Sequence, residues 1–197
     1  MTASEKFSLK GHVRIEVRDR TGRLIDVPYD GENFIVDGGK QAVIQQLGQF
    51  FETDRRAMRR MSLGDQGAIL GSPFTPKVPD VSWPARTQLF HELGRKNIGS
   101  FLFPTTKSVR FVTSFLSSDF DDTSYSALPR ICSEASLYIG NPDLVADPIT
   151  GLIQPNKVGP DPIPVDDVMF STRTFKSVPF DPLDAVTVTV TWTIFIT

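Results

Sequence analysis

Residues 185–197 read AVTVTVTWTIFIT. Val186, Val188, Val190, Trp192, Ile194 and Ile196 fall on one side of an extended chain. Thr187, Thr189, Thr191, Thr193 and Thr197 fall on the other, and Phe195 alone breaks the polar side. Successive strand residues point to opposite faces, so this period of two specifies a strand with one face in a core and one toward water. Left as a flat exposed edge, such a strand would template aggregation. It is therefore expected to be central, or paired on both sides, within the chain or by a neighbouring subunit.

The same period recurs upstream. In HVRIEVRD, Val13, Ile15 and Val17 alternate with Arg14, Glu16 and Arg18, the pattern of a half-buried strand. RTGR supplies a glycine turn and LIDVPYD the returning hairpin strand, with Pro28 marking an edge. RMSLGDQG (60–67), SVRFVTSFLSS, ICSEASLYIG and VMFSTRTF read as further strands, while TQLFHEL and GSFLFPTTK read only as short apolar segments. One helix is predicted over about 38–52, with Asp37 as its N-cap. Its apolar face is Val43, Leu47, Phe50 and Phe51, flanked by Ala42 and Ile44, and Gly48 is its weak point.

Two segments break the pattern. GSPFTPKVPDVSWP (71–84) carries four prolines, too many for regular ladder bonding. NPDLVADPITGLIQPNKVGPDPIPVDD (141–167) carries six and is rich in aspartate, a length of connection usually reserved for function or disorder. VPFDPLDA reads as a tight corner between the last two strands. About seven or eight strands, one helix and short connections give a mostly β chain, an antiparallel β-sandwich with one helix in its N-terminal region and long proline-rich loops. A single sandwich domain over 1–197, with an extended arm at about 141–167, is the expected organisation.

Bulk composition narrows the function. A chain of 197 residues with 40% hydrophobic content can bury roughly 70% of its unfolded-state surface. Twenty-one basic against 23 acidic residues give no basic excess of the kind nucleic-acid binding requires. The basic cluster DRRAMRR (54–60) reads as a solvated helix end or a subunit contact. The N-terminal MTASEKFSLKGHVRIEV lacks the apolar run of a secretory signal, and no stretch approaches the roughly 18 apolar residues that cross a bilayer, so neither export nor a membrane partner is expected. Cys132 has no second cysteine to pair with and reads as a small buried residue.

Catalytic signatures are sparse. There is no G-x-S-x-G, P-loop, H-E-x-x-H or paired C-x-x-C pattern. VDGGKQ (36–41) fits neither glycine-rich phosphate motif, so Gly38 and Gly39 are assigned to a tight strand-to-helix turn. Asp119, Asp121 and Asp122 in SDFDDTSY lack EF-hand spacing and suit a solvated turn, with a calcium loop as the alternative. His91 lies beside apolar residues without a marked partner. No cofactor, metal or enzymatic activity is expected. The proline-rich loops instead carry apolar residues that a solvated linker would not need: Phe74, Val78, Val81 and Trp83 in the first, Leu144, Val145, Ile149, Leu152, Ile153 and Ile163 in the second. They either cover the chain's own sandwich or lie on a neighbour. Phe74, Trp83, Leu144, Ile149, Leu152, Ile153 and Ile163 are the interface candidates.

Taken in order, ENFIVDGGKQAVIQQL, MSLGDQGA, the proline-rich stretch leading to TQLFHEL, SVRFVTSF, ICSEASLYIG and FSTRTFKSVPFDPLDAVTVTVTWTIFI resemble a class of small structural proteins of tailed bacteriophages. The likeness covers most of the chain, excepting its first ten residues and 141–167. It implies an N-terminal hairpin and helix preceding a β-sandwich, with closing strands carrying an R-x-F-x-x-V-x-F segment, and it carries over no catalytic residue. The function it implies is a virion component of the neck or collar, tail or baseplate, assembled in the host cytoplasm as a symmetric homo-oligomeric ring or an attachment module. Its partners would be copies of itself and neighbouring virion proteins. A carbohydrate- or receptor-binding sandwich is the competing reading, with Trp83, Trp192 and three tyrosines as its only platform residues. An enzyme is the weakest, since no carboxylate pair is marked.

Overall fold

The computed structural model describes residues 8–48, 57–120, 131–140, 152–153, 167–180 and 186–197. The opening stretch is strand β13 (Thr187–Ile196), and every second residue from Val188 to Ile194 is buried, with Ile196 exposed at the end. It lies third of five in a sheet ordered β2-β1-β13-β9-β8, where β1 is Leu9–Arg18, β2 Leu24–Glu32, β8 Ser100–Thr105 and β9 Ser108–Leu116. β1 pairs antiparallel along its whole length, from Leu9 opposite Ile196 to Arg18 opposite Thr187. β9 pairs the other side, from Ser108 opposite Phe195 to Leu116 opposite Thr187. The strand is thus central, and both pairings come from its own chain. The β1–β2 hairpin forms as expected, with Gly22 at φ 84° in its turn, and β2 with Pro28 is a sheet edge.

The second sheet is ordered β11-β7-β4-β10-β12-β3. Its strands are β3 (Phe34–Ile35), β4 (Ala57–Gly64), β7 (Glu92–Asn97), β10 (Ile131–Gly140), β11 (Leu152–Ile153) and β12 (Val168–Pro179). Its inner face meets the first sheet in one core. Val13, Ile15 and Val17 of β1, Phe111 and Phe115 of β9, and Val188, Val190 and Trp192 of β13 pack with Met61, Leu63, Ala135, Leu137, Ile139, Phe170, Phe175 and Val178. The architecture is therefore an antiparallel two-sheet sandwich with one helix. Phe175, Val178 and Phe180 of the R-x-F-x-x-V-x-F segment are buried in it. Thirteen strands are described; beyond the expected seven or eight, β7 and β8 overlap the segments read only as short and apolar, and β3, β5 (Ala68–Ile69), β6 (Ser72–Pro76) and β11 are too short for a period to register.

Helix α1 spans Asp37–Gly48. The backbone N–H of Lys40 donates to the Val36 carbonyl at 3.2 Å, so Val36, not Asp37, holds the N-cap position. Asp37 sits in the first turn, where its charge complements the helix dipole, and receives Lys40 Nζ at 2.9 Å. Ala42 is buried and Val43 packs on the core, but Ile44 is 69% exposed. The side chains of Leu47, Phe50 and Phe51 lie outside the described set. A Cβ on Gly39 would stand 2.3 Å from the Phe170 carbonyl oxygen, so the glycine pair lets the helix start lie directly on β12.

The first proline-rich segment folds back over its own chain. β5 and β6 form a small hairpin, fastened by Lys77 N to Gly67 O at 2.8 Å and by Thr174 Oγ1 donating to the Lys77 carbonyl. Trp83, at the head of a short 3-10 turn (Trp83–Ala85), is 1% exposed. It meets Phe34 and Phe90 edge-on, at 5.7 and 6.3 Å between ring centres. Leu89, Val36, Tyr138 and Met169 form a second small core beside it. The outer face of the second sheet is covered in this way, and nine of the ten residues of β10 are buried.

Trp192→Ala should cost about 3–5 kcal/mol in denaturant unfolding, the usual range for emptying a large buried site. Trp192→Phe should cost much less. It keeps a ring in the core while removing an indole N–H that has no hydrogen-bond partner among the described residues.

Candidate interaction surface

Covering both faces of the second sheet buries charge. Arg60 of β4 is 1% exposed, Arg95 of β7 4%, and the Asp167 side chain is fully buried. Asp167 lies between the two guanidinium groups, paired with Arg60 and receiving Arg95 Nη1 at 2.6 Å. Arg95 also forks onto Glu92 at 2.9 and 2.8 Å and stacks its guanidinium 3.7 Å from the centre of the Tyr138 ring. The Tyr138 hydroxyl donates to Glu92 at 3.2 Å. Burial pulls the Arg60 pKa down, whereas in Arg95 the bonds to Glu92 and Asp167 outweigh burial and raise it. Burial, with the Glu92 charge second, raises Tyr138.

A second buried acid closes the other end of β10. Glu134 is 0% exposed and accepts the backbone N–H groups of Phe90 and His91, each at 2.9 Å, with Arg86 Nη2 at 3.4 Å. Arg86 lies over the rings of Phe90 and Trp83, at 3.8 and 5.0 Å. Burial raises the Glu134 pKa against the pull of those bonds. Both groups tie the covering segment and the loop base to the sheet; they are fastenings with every acid already occupied.

The groups weighed for chemistry fall in similar positions. His91 Nδ1 lies 2.7 Å from Asp65 at the surface. Cys132 is fully buried and its thiol pKa is pushed up by that burial, which makes it a poor nucleophile. Asp119 accepts Leu116 N at 2.8 Å and pairs with Lys96; Asp121 and Asp122 are outside the described residues. Among the described residues no three His, Cys, Asp or Glu side chains are grouped to hold a metal ion, and no helix is long and apolar enough to cross a membrane.

What remains open is apolar surface. All six residues of β8, SFLFPT, are exposed. Phe101 is 63%, Leu102 48% and Phe103 72% exposed, and the two rings meet edge-on at 5.9 Å. Adjacent strand residues face opposite ways, so both sides of this edge strand are uncovered, with exposed Leu116 on the neighbouring β9. At the other edge of the same sheet, Leu24 and Ile25 of β2 are 42% and 54% exposed. Phe74 stands on that side, sharing Lys176 with Asp26 of β2, and is 70% exposed.

The interface candidates separate accordingly. Phe74 is exposed as an interface would need. Trp83 is not: it is packed into its own fold, because the covering segment turns inward there. Leu152 and Ile153 form β11, whose backbone pairs with Lys96 and Arg95 of β7. Leu144, Ile149 and Ile163 lie outside the described residues. The β8 triplet is an addition. Its sequence signal is three consecutive large apolar residues closed by Pro104, an apolar strand that proline confines to an edge.

Asp167→Ala would leave Arg60 and Arg95 buried without their shared counter-charge and should cost about 3–5 kcal/mol in denaturant unfolding. For Glu134, a folded-state pKa above the ordinary 4.5 means that the folded chain holds the proton more tightly than the unfolded one. Its contribution is then fully present below the unfolded value and is lost as pH rises through the folded value. The stability of the wild type relative to Glu134→Gln should accordingly fall as pH is raised from 4.5, measured by unfolding at each pH. No family model, curated protein or solved structure matches the chain.

Proposed function

We propose that this chain is a structural component of a tailed-bacteriophage virion, of the neck or collar, tail or baseplate, that assembles through protein–protein contacts with its own copies. The virion assignment rests on the sequence resemblance. The assembly part rests on one observation: β8 is an edge strand with apolar side chains open on both faces. Such an edge is a liability in an isolated chain and an asset in an assembly. Apolar residues at both edges of one sheet suit a ring, in which each copy uses two different patches. Both tryptophans are buried, at 0% and 1% exposure, so neither offers the stacking platform that a sugar-binding reading needs.

The test is the mass of the full chain in solution by light scattering, for the wild type and for Phe101→Ser/Phe103→Ser. The expected result is an oligomer that falls toward monomer in the double variant, with the monomer still folded by circular dichroism because both side chains are exposed. A wild type that stays monomeric at high concentration, or an oligomer indifferent to both substitutions, would remove the support. A monomer that binds glycan would move the assignment to the receptor-binding reading.

A further inference from the structure

The two edges of the five-stranded sheet are complementary. From Ile98 to Ser118 the chain has two bases, Lys107 and Arg110, and no acid; from Leu24 to Val36 it has three acids, Asp26, Asp30 and Glu32, and no base. Asp30 is held by Arg14 and His12, and Asp26 by Lys176. Glu32, Lys107 and Arg110 make no ion pair among the described residues. Every neighbouring pair in this sheet is antiparallel. With five strands, β2 and β8 therefore run in the same direction.

We infer that β8 of one copy pairs in parallel with β2 of the next, head to tail, continuing the sheet from subunit to subunit. This rests on the reading of the chain as a self-assembling component. Each edge offers four residues before a proline: Ser100–Phe103 before Pro104, and Leu24–Val27 before Pro28. Proline cannot donate to a ladder, so the two prolines bound the same short pairing. Set level, these segments place Ser100 and Phe101 beside Leu24 and Ile25 and Phe103 beside Val27, and leave Lys107, in the turn just past Thr105, at the end of the sheet where Asp30 and Glu32 lie. Pairing β8 with a second β8 would instead join two basic edges with no acid on either. The β8 triplet offers roughly 300 Å² of apolar surface, short of the roughly 800 Å² each partner gives a stable interface. The contact is thus one that a closed ring sustains better than an isolated pair.

Disulfide trapping tests it, because Cys132 is buried and does not compete. Ser100 pairs with Val112 and Leu24 with Arg18, both on the face of the sheet turned away from the core. Ser100→Cys and Leu24→Cys chains should therefore form a disulfide dimer when mixed, and neither should do so alone. Lys107→Glu or Glu32→Lys, added to both chains, should lower the yield roughly tenfold by setting like charges together. Both reversals together should restore it. An oligomer by light scattering without the mixed disulfide, or with a Ser100→Cys self-disulfide, overturns the edge pairing and leaves self-assembly standing. A wild type monomeric at all concentrations, with no mixed disulfide, overturns both.

Discussion

The first sheet is two hairpins joined by one strand. β1–β2 and β8–β9 touch no common partner in that sheet except β13, which lies between them and pairs along both sides. Almost the whole chain separates β1 from β13, so the ladder that unites the sheet is among its most non-local contacts, and topologies of that kind fold slowly. Register is set by burial: shifting β13 by one residue would send Val188, Val190 and Trp192 to water and bring four threonines into the core. Both hairpins inherit their place from that single choice.

The second sheet answers to a different constraint. It is covered on both faces, by the first sheet on one side and by the segment around Trp83 on the other. Charges on its outer face have no water to turn to, and burying them is tolerable only with partners in place. Asp167 between two arginines and Glu134 beneath two backbone N–H groups meet that demand. They also position what they touch: Glu134 fixes the covering segment at Phe90 and His91, and Asp167 fixes the start of β12. The open edge of the first sheet is the complement of this enclosure, since the chain's covering material is spent on the other layer.

Legibility in the sequence followed burial. Strands with one wet face announce themselves by alternation, which is why β1 and β13 can be read directly. β10 is buried on both faces, so ICSEASLYIG declares a strand but not its depth, and Glu134 inside it looks like an ordinary polar position. Trp83 illustrates the converse: an apolar residue among prolines has no period, and only tertiary packing decides whether it turns inward or outward. The N-cap moved from Asp37 to Val36 because the close approach of Gly39 to Phe170 sets where the helix begins. β8 reads only as a short apolar segment because three consecutive apolar residues carry no period; Pro104 hints at an edge, and the sheet order places it there.

Gly140 and Asp167 touch: a Cβ on Gly140 would fall within 2 Å of the Asp167 carboxylate, at 1.9 Å. The end of β10 and the start of β12 are therefore held together at one point of the second sheet, beside the buried Arg60–Asp167–Arg95 group. Closing a loop costs only about 0.6 kcal/mol for each doubling of its length. With its two ends fixed by the sandwich, the entropic cost of spanning from Gly140 to Asp167 depends only weakly on how many residues make the span.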